Sequence, residues 1–107
     1  MDSFIQAPGG FYTNVPSTTQ SNGVTWYFAK CGHIVTITAN GPISGARSAD
    51  QSMYVLPDGY RPPFLILIRS LGGHPIVIDG GSGNVHCQWA LSAGTWFQFT
   101  ATYCVTN

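Results

Sequence analysis

The sequence predicts a single all-β domain, an antiparallel β-sandwich or jelly-roll-like barrel, and three observations carry that expectation. Apolar residues recur with a period of two, most clearly over residues 95–105, where Phe97, Phe99, Ala101, Tyr103 and Val105 alternate with Trp96, Gln98, Thr100, Thr102 and Cys104. Six or seven such short runs follow one another about 8–12 residues apart, with Gly and Pro between them. No segment shows a 3.6-residue apolar period, and residues that favour helices are scarce.

Residues 1–22 are polar and turn-rich, with Pro8, Gly9, Gly10 and Pro16 and a Ser/Thr/Gln/Asn cluster at 17–22, and they read as an N-terminal arm or linker. The head domain is expected over residues 23–107. Val24, Trp26 and Phe28 alternate with Thr25, Tyr27 and Ala29 in a first strand that stops near Cys31 and Gly32. The β-branched run 33–40 (HIVTITAN) returns as its hairpin partner. Residues 41–51 (GPISGARSADQ) lack alternation and read as a loop crossing from one sheet to another, a kind of segment that often carries function. Residues 52–56 suit a short strand, and Pro57, Asp58 and Gly59 a turn. The apolar run 64–70 (FLILIRS) has strand length and is expected to be buried on both faces or at an oligomer interface. After Gly72 and Gly73, residues 75–79 (PIVID) and 84–91 (NVHCQWAL) form two strands around the hairpin loop 80–83. Val85, Cys87 and Trp89 share one face of the second.

Charged residues make up 7% of the 107-residue chain, and four Lys/Arg balance four Asp/Glu; the usual charged share is about 25%. A surface so poor in charge favours association, so part of it is expected to be covered by copies of the chain or by a partner. Lys30, Arg47, Arg61 and Arg69 are scattered singly, which argues against nucleic acid and against an anionic membrane surface. No apolar run reaches the roughly 18 residues of a membrane helix, and the opening MDSFIQAPGG has neither the basic nor the apolar region of a signal peptide; neither membrane insertion nor export is expected. Cys31, Cys87 and Cys104 are an odd number without CxxC spacing. They read as free buried thiols, with one disulfide plus a free thiol as the alternative, and the irregular His and Cys spacing calls for no metal or cofactor.

Glycoside hydrolysis needs two carboxylates flanking a bond. The chain has only Asp2, Asp50, Asp58 and Asp79 and no Glu, so Asp50 with Asp79 is the one pair available, and GxSxG is absent. Binding of a neutral saccharide suits the composition better: an aromatic face meets the C–H side of a sugar ring while a few planar polar groups meet its hydroxyls. Trp26 and Trp89, in phase with apolar neighbours, are expected in the core. Trp96, out of phase with Phe97 and Phe99, is expected as an exposed or interface platform. His33 reads as a solvated strand start, and His86, alternating outward beside Cys87, as exposed or between subunits. His74, between a Gly pair and Pro75 in a loop expected to face Asp79, is the strongest candidate for ligand contact. With Arg47 and Asp50 in the crossing loop, the candidate ligand-binding set is His74, Asp79, Trp96, Arg47, Asp50 and His86. It contains no catalytic residue and no metal ligand, while Arg69, Gln88 and Asn84 supply further polar groups.

The octapeptide at residues 56–63, LPDGYRPP, resembles a segment that recurs in C-terminal head domains of tail fibres, baseplate receptor-binding proteins and related minor structural proteins of phages of Gram-positive bacteria. The family pattern runs LPxGYRP, an apolar strand, a Gly-rich hairpin, a strand with G-x-V and a later aromatic strand. Here these stand as LPDGYRP, FLILIRS, IDGGSGNV and GTWFQFTATYCV, so the resemblance spans about residues 23–107. Taken on its own residues, the octapeptide is structural: Pro57, Asp58 and Gly59 fix a turn, Tyr60 packs a ring, Arg61 bonds local carbonyls, and Pro62 and Pro63 prevent edge pairing. The resemblance implies a homotrimeric head that adheres to host cell-surface saccharide. It implies a place in the virion at the tail or fibre tip, beside other tail or baseplate proteins, after synthesis in the host cytoplasm. Its sugar sites are expected in or near clefts between protomers, with no residue assigned. No long shoulder or coiled-coil neck is present, so trimerisation would come from the domain itself. A purely structural trimerisation or capping module of a fibre, and a small glycan hydrolase, are the competing readings.

Overall fold

Two tight turns set the first sheet. Asn22 and Gly23 hold φ of 52° and 81°, the pair of positive values a type I′ hairpin turn requires, and they join β1 (Ser17–Ser21) to β2 (Val24–Cys31). Gly32, at φ 60°, opens the turn into β3 (Ile34–Pro42). The last strand, β8 (Trp96–Cys104), lies antiparallel to β3 and completes the order β1-β2-β3-β8. A second antiparallel sheet has the order β4-β7-β6-β5, built from β4 (Ser52–Val55), β5 (Ile66–Arg69), β6 (Pro75–Ile78) and β7 (Asn84–Cys87). This computed structural model describes residues 17–106, and among them there is no helix.

The predicted alternation defines the inner faces. Val24, Trp26 and Phe28 of β2, Val35, Ile37 and Ala39 of β3, and Phe97, Phe99, Ala101 and Tyr103 of β8 join Met53, Ile76, Ile78, Val85 and Cys87 of the other sheet in one buried cluster. The result is all-β and sandwich-like. Trp26, buried as expected, links the layers: its ring stacks on Tyr54 at 5.1 Å and meets the edge of Phe99 at 5.7 Å.

Two flanks join the sheets. On the β1/β4 side, Ser21 Oγ donates to Met53 O, and Asn22 Oδ1 accepts from Ser44 Oγ and from Gly45 N–H, both at 2.8 Å. The crossing loop is thereby fastened to the first hairpin, and it passes from β3 to β4, between sheets, as expected. On the β5/β8 side, Leu71 N–H donates to Gln98 O at 2.8 Å.

The octapeptide acts as a structural clamp. Gly59 takes φ 88°, Arg61 Nε donates to Leu56 O at 2.8 Å, and Leu56 and Pro62 are fully buried. Lys30 Nζ donates to Gly59 O at 2.9 Å, Tyr60 sets its ring edge-on to Phe28, and the Tyr103 hydroxyl donates to Tyr60 O. The segment therefore ties the chain entering β5 to β2 and β8.

Three expectations are corrected. Within the segment that reads as an arm, Ser17–Ser21 forms an edge strand in full register with β2; residues 1–16 lie outside the described residues. The run FLILIRS is not buried on both faces. It is the edge strand β5, with Ile66 and Ile68 half-buried against the core and Phe64, Leu65 and Leu67 exposed. Trp89 is not core: β7 ends at Cys87, Trp89 N–H turns back to Cys87 Sγ at 3.4 Å, and the broken alternation leaves the indole 52% exposed.

Candidate functional site

The β5/β8 flank holds a shallow surface groove of about 240 Å³ lined by Arg69, Ser70, Leu71, Gln98, Phe99 and Thr100. One wall is the turn after β5. Ser70, buried among polar atoms of its own turn, accepts from His74 N–H at 3.1 Å and bonds His74 Nδ1 at 3.0 Å, while Gly73 N–H returns to Ser70 O at 2.9 Å. Gly73 holds φ 83°, which favours glycine, and a Cβ on Gly72 would lie 2.8 Å from the His74 ring, so the ring would have to shift. Arg69 donates to Gly73 O at 3.0 Å and carries its guanidinium carbon 6.0 Å from the Trp89 ring centre; His74 meets the same ring edge-on at 6.0 Å.

The other wall is β8. Gln98 and Thr100 stand on the outer face of the first sheet, where Trp96 Nε1 donates to Gln98 Oε1 and to Asn40 Oδ1, both at 3.1 Å. These bonds satisfy the indole N–H and pin the ring, whose surface stays 51% exposed, as the alternation predicts. Trp89 thus borders the groove through Arg69 and Trp96 borders it through Gln98. Arg69, Gln98 and Thr100 bring a guanidinium, a carboxamide and a hydroxyl to the groove lining, and Phe99 an apolar ring. Such a set can hold a sugar ring by its C–H face and read its hydroxyls.

Of the six predicted ligand-binding residues, only His74 and Trp96 adjoin this groove. Asp79 and His74 lie beyond opposite ends of β6, roughly 15 Å apart along the strand direction, so the loop of His74 does not face Asp79. Asp79 closes the β6–β7 turn, its N–H bonded to Asn84 O at 2.9 Å and its carbonyl to Gly83 N–H at 3.1 Å.

Arg47, Asp50 and His86 gather at the crossing loop and β7. Arg47 exchanges backbone hydrogen bonds with Leu91 at 2.9 and 2.8 Å. Asp50, at φ 62°, donates its N–H to Cys87 O at 2.8 Å and brings Oδ1 to 3.5 Å from His86 Nε2. His86 is half-buried beneath this contact instead of fully exposed. Its Nδ1 is enclosed with no partner among the described residues, so the Asp50–His86 pair has no nucleophile on its far side. Burial pushes the neighbouring Cys87 thiol up, the Trp89 N–H opposes that, and the Asp50 charge adds to it.

Cys31 is half-buried and Cys104 exposed, so the expectation of buried thiols holds in full for Cys87 alone; all three are free. No group of three potential metal ligands occurs among the described residues, and no helix among them is long and apolar enough to cross a membrane. None of the residues that line the groove belongs to the candidate set: Arg69, Ser70, Leu71, Gln98, Phe99 and Thr100 all fall outside it, as does the bordering Trp89. Gln98 and Thr100 were legible as outward positions of β8, whereas the bend that turns Trp89 outward leaves no periodic signal. No protein-family model matches the chain, and no curated protein matches its sequence.

Proposed function

We propose that the groove between the β5–β6 turn and β8 binds a neutral, hydroxyl-rich saccharide, and that the protein is a host-receptor recognition head of a phage tail fibre or baseplate, working as a homotrimer in the virion. The observation that carries this reading is the pair of half-exposed indoles, Trp89 and Trp96, bordering a groove whose polar atoms belong to Arg69, Gln98 and Thr100. The threefold assembly rests on the resemblance of LPDGYRPP and on the apolar rim of Phe64, Leu65, Leu67 and Leu71, which the described residues of a single chain leave exposed to water. That rim also favours the second reading, a structural trimerisation or capping module without ligand. Hydrolysis finds less support, since neither Asp50 nor Asp79 lines the groove.

The test is retention of the full chain on host cell walls and on saccharide arrays. Wild type is expected to bind, and Trp96→Ala to reduce binding about tenfold or more with assembly unchanged. A wild-type trimer that ignores every wall and saccharide would leave the structural reading; a monomer that ignores them would sink both.

A further inference from the structure

Strand β8 is nine residues long and, among the described residues, has a neighbour, β3, on one side only. Val105 N–H donates to His33 O at 2.7 Å and Ile43 N–H to Thr95 O at 2.9 Å, which puts the backbone groups of the odd-numbered residues against β3. By the alternation of an antiparallel ladder, the N–H and C=O groups of the even-numbered residues point away from it. Gln98 O, taken by Leu71 N–H, marks that direction. Beyond Gln98, the outward backbone groups of Thr100, Thr102 and Cys104 meet no backbone partner among the described residues. Exposed edges of this length are ordinarily guarded by Lys, Pro or a bulge. The segment WFQFTATYC has no Lys and no Pro, and its register with β3 runs unbroken.

We propose that β8 pairs antiparallel with β8 of a second copy, about a twofold axis at Thr102, joining the two outer sheets into one. Three features favour a copy of this chain over another partner. No Lys, Arg, Asp or Glu occurs between Gly80 and Asn107, so identical strands meet without like-charge conflict. The register is fixed from the chain itself: Leu71, bonded to Gln98 and 74% exposed, blocks the start of the strand, and Thr102 is the midpoint of the outward residues that remain. In that register the strand is self-complementary, with Thr102 opposite Thr102, Thr100 opposite Cys104, and small Ala101 opposite Tyr103. Hydroxyl pairing of this kind already operates one strand inward, where Thr36 bonds Thr102 and Thr38 bonds Thr100, each at 3.0 Å.

The contact is twofold, so it doubles the mass of whatever unit carries it, one chain or a threefold assembly. Sedimentation equilibrium of the full chain tests it. Thr102→Lys, on an exposed position of the outer face, sets two ammonium groups opposite each other and is expected to weaken the pairing about tenfold or more. Thr102→Glu does the same, and mixing the two variants restores the paired mass. Thr18→Lys, exposed on the opposite edge strand of that sheet, leaves it unchanged. Exchange at the Thr102 amide slows as protein concentration rises. A mass of one or three chains that Thr102→Lys does not alter would overturn the pairing while leaving the threefold reading untouched. Protection of the Thr102 amide that ignores concentration and vanishes on deletion of residues 1–16 would assign the edge to the chain's own N-terminal segment, and would overturn it equally.

Discussion

Leu71 donates its backbone N–H to the carbonyl of Gln98, and this bond of 2.8 Å holds the turn of one sheet against the free edge of the other. The two groove walls are therefore joined through main chain, and an exposed side chain such as Arg69 can be exchanged without breaking that joint. Arg69→Ala is expected to lower saccharide retention about tenfold, because it removes the guanidinium that spans Trp89 and the groove. Its effect on stability should stay within about 1 kcal/mol, since the side chain is exposed and makes one neutral-acceptor hydrogen bond. Asp50→Asn, away from the groove, should leave retention unchanged; binding isotherms beside urea melts separate the two variants.

Alkaline stability follows from buried acids. Burial pushes the Tyr103 hydroxyl well above its ordinary value and raises Tyr54 and the Cys87 thiol in the same direction. The folded chain thus keeps protons that the unfolded chain releases, starting from ordinary values of 9.0 for the thiol and 10.0 for the phenols. Stability is complete below those values and falls as pH rises through them. Urea midpoints taken upward from neutrality should decline above about pH 9. Tyr103→Phe should cost about 1 kcal/mol at neutral pH, through the lost bond to Tyr60 O, and should flatten the alkaline decline.

The two hairpin glycines of the first sheet should respond differently to alanine. Gly23 holds φ 81°, and a Cβ there would lie 2.5 Å from Pro42 O; Gly32 holds φ 60° with open space around it. Gly32→Ala is expected to cost about 1 kcal/mol, from the left-handed backbone alone. Gly23→Ala should cost about 2 kcal/mol or more, because strain and overlap combine there. Equal losses in chemical melts would remove the steric part of this account.

Thiol reactivity should order itself by burial. Cys104 is exposed, Cys31 half-buried, and Cys87 buried with its thiol pushed up. An aromatic disulfide reagent at neutral pH is expected to titrate Cys104 first and Cys31 second, and to reach Cys87 only after denaturant is added. Early modification of Cys87 would contradict its placement in the core.

The sequence reveals most where period-two alternation meets a single core. Phe97, Phe99, Ala101 and Tyr103 announce β8 because the strand faces core on one side only, and the same phase identifies Trp96 as outward. β1 escapes notice because STTQS has no apolar face: Ser17–Ser21 is held by backbone pairing to β2, signalled only by the Asn22–Gly23 dipeptide behind it. FLILIRS leaves two readings open because an edge strand at an open flank can carry apolar residues on both faces without burying both within one chain. The groove is less legible still. Arg69, Trp89 and Gln98 come from three separate stretches, and their meeting depends on the Leu71–Gln98 bond and on the bend after Cys87.

Among the described residues, the outer face of the first sheet carries Thr25, Tyr27, Thr36, Thr38, Asn40, Trp96, Gln98, Thr100 and Thr102, and no charged side chain. Counter-ions have nothing to screen there. Contacts made at that face depend on surface wetting and hydroxyl geometry, so they should hold with the same strength in dilute buffer and in brine.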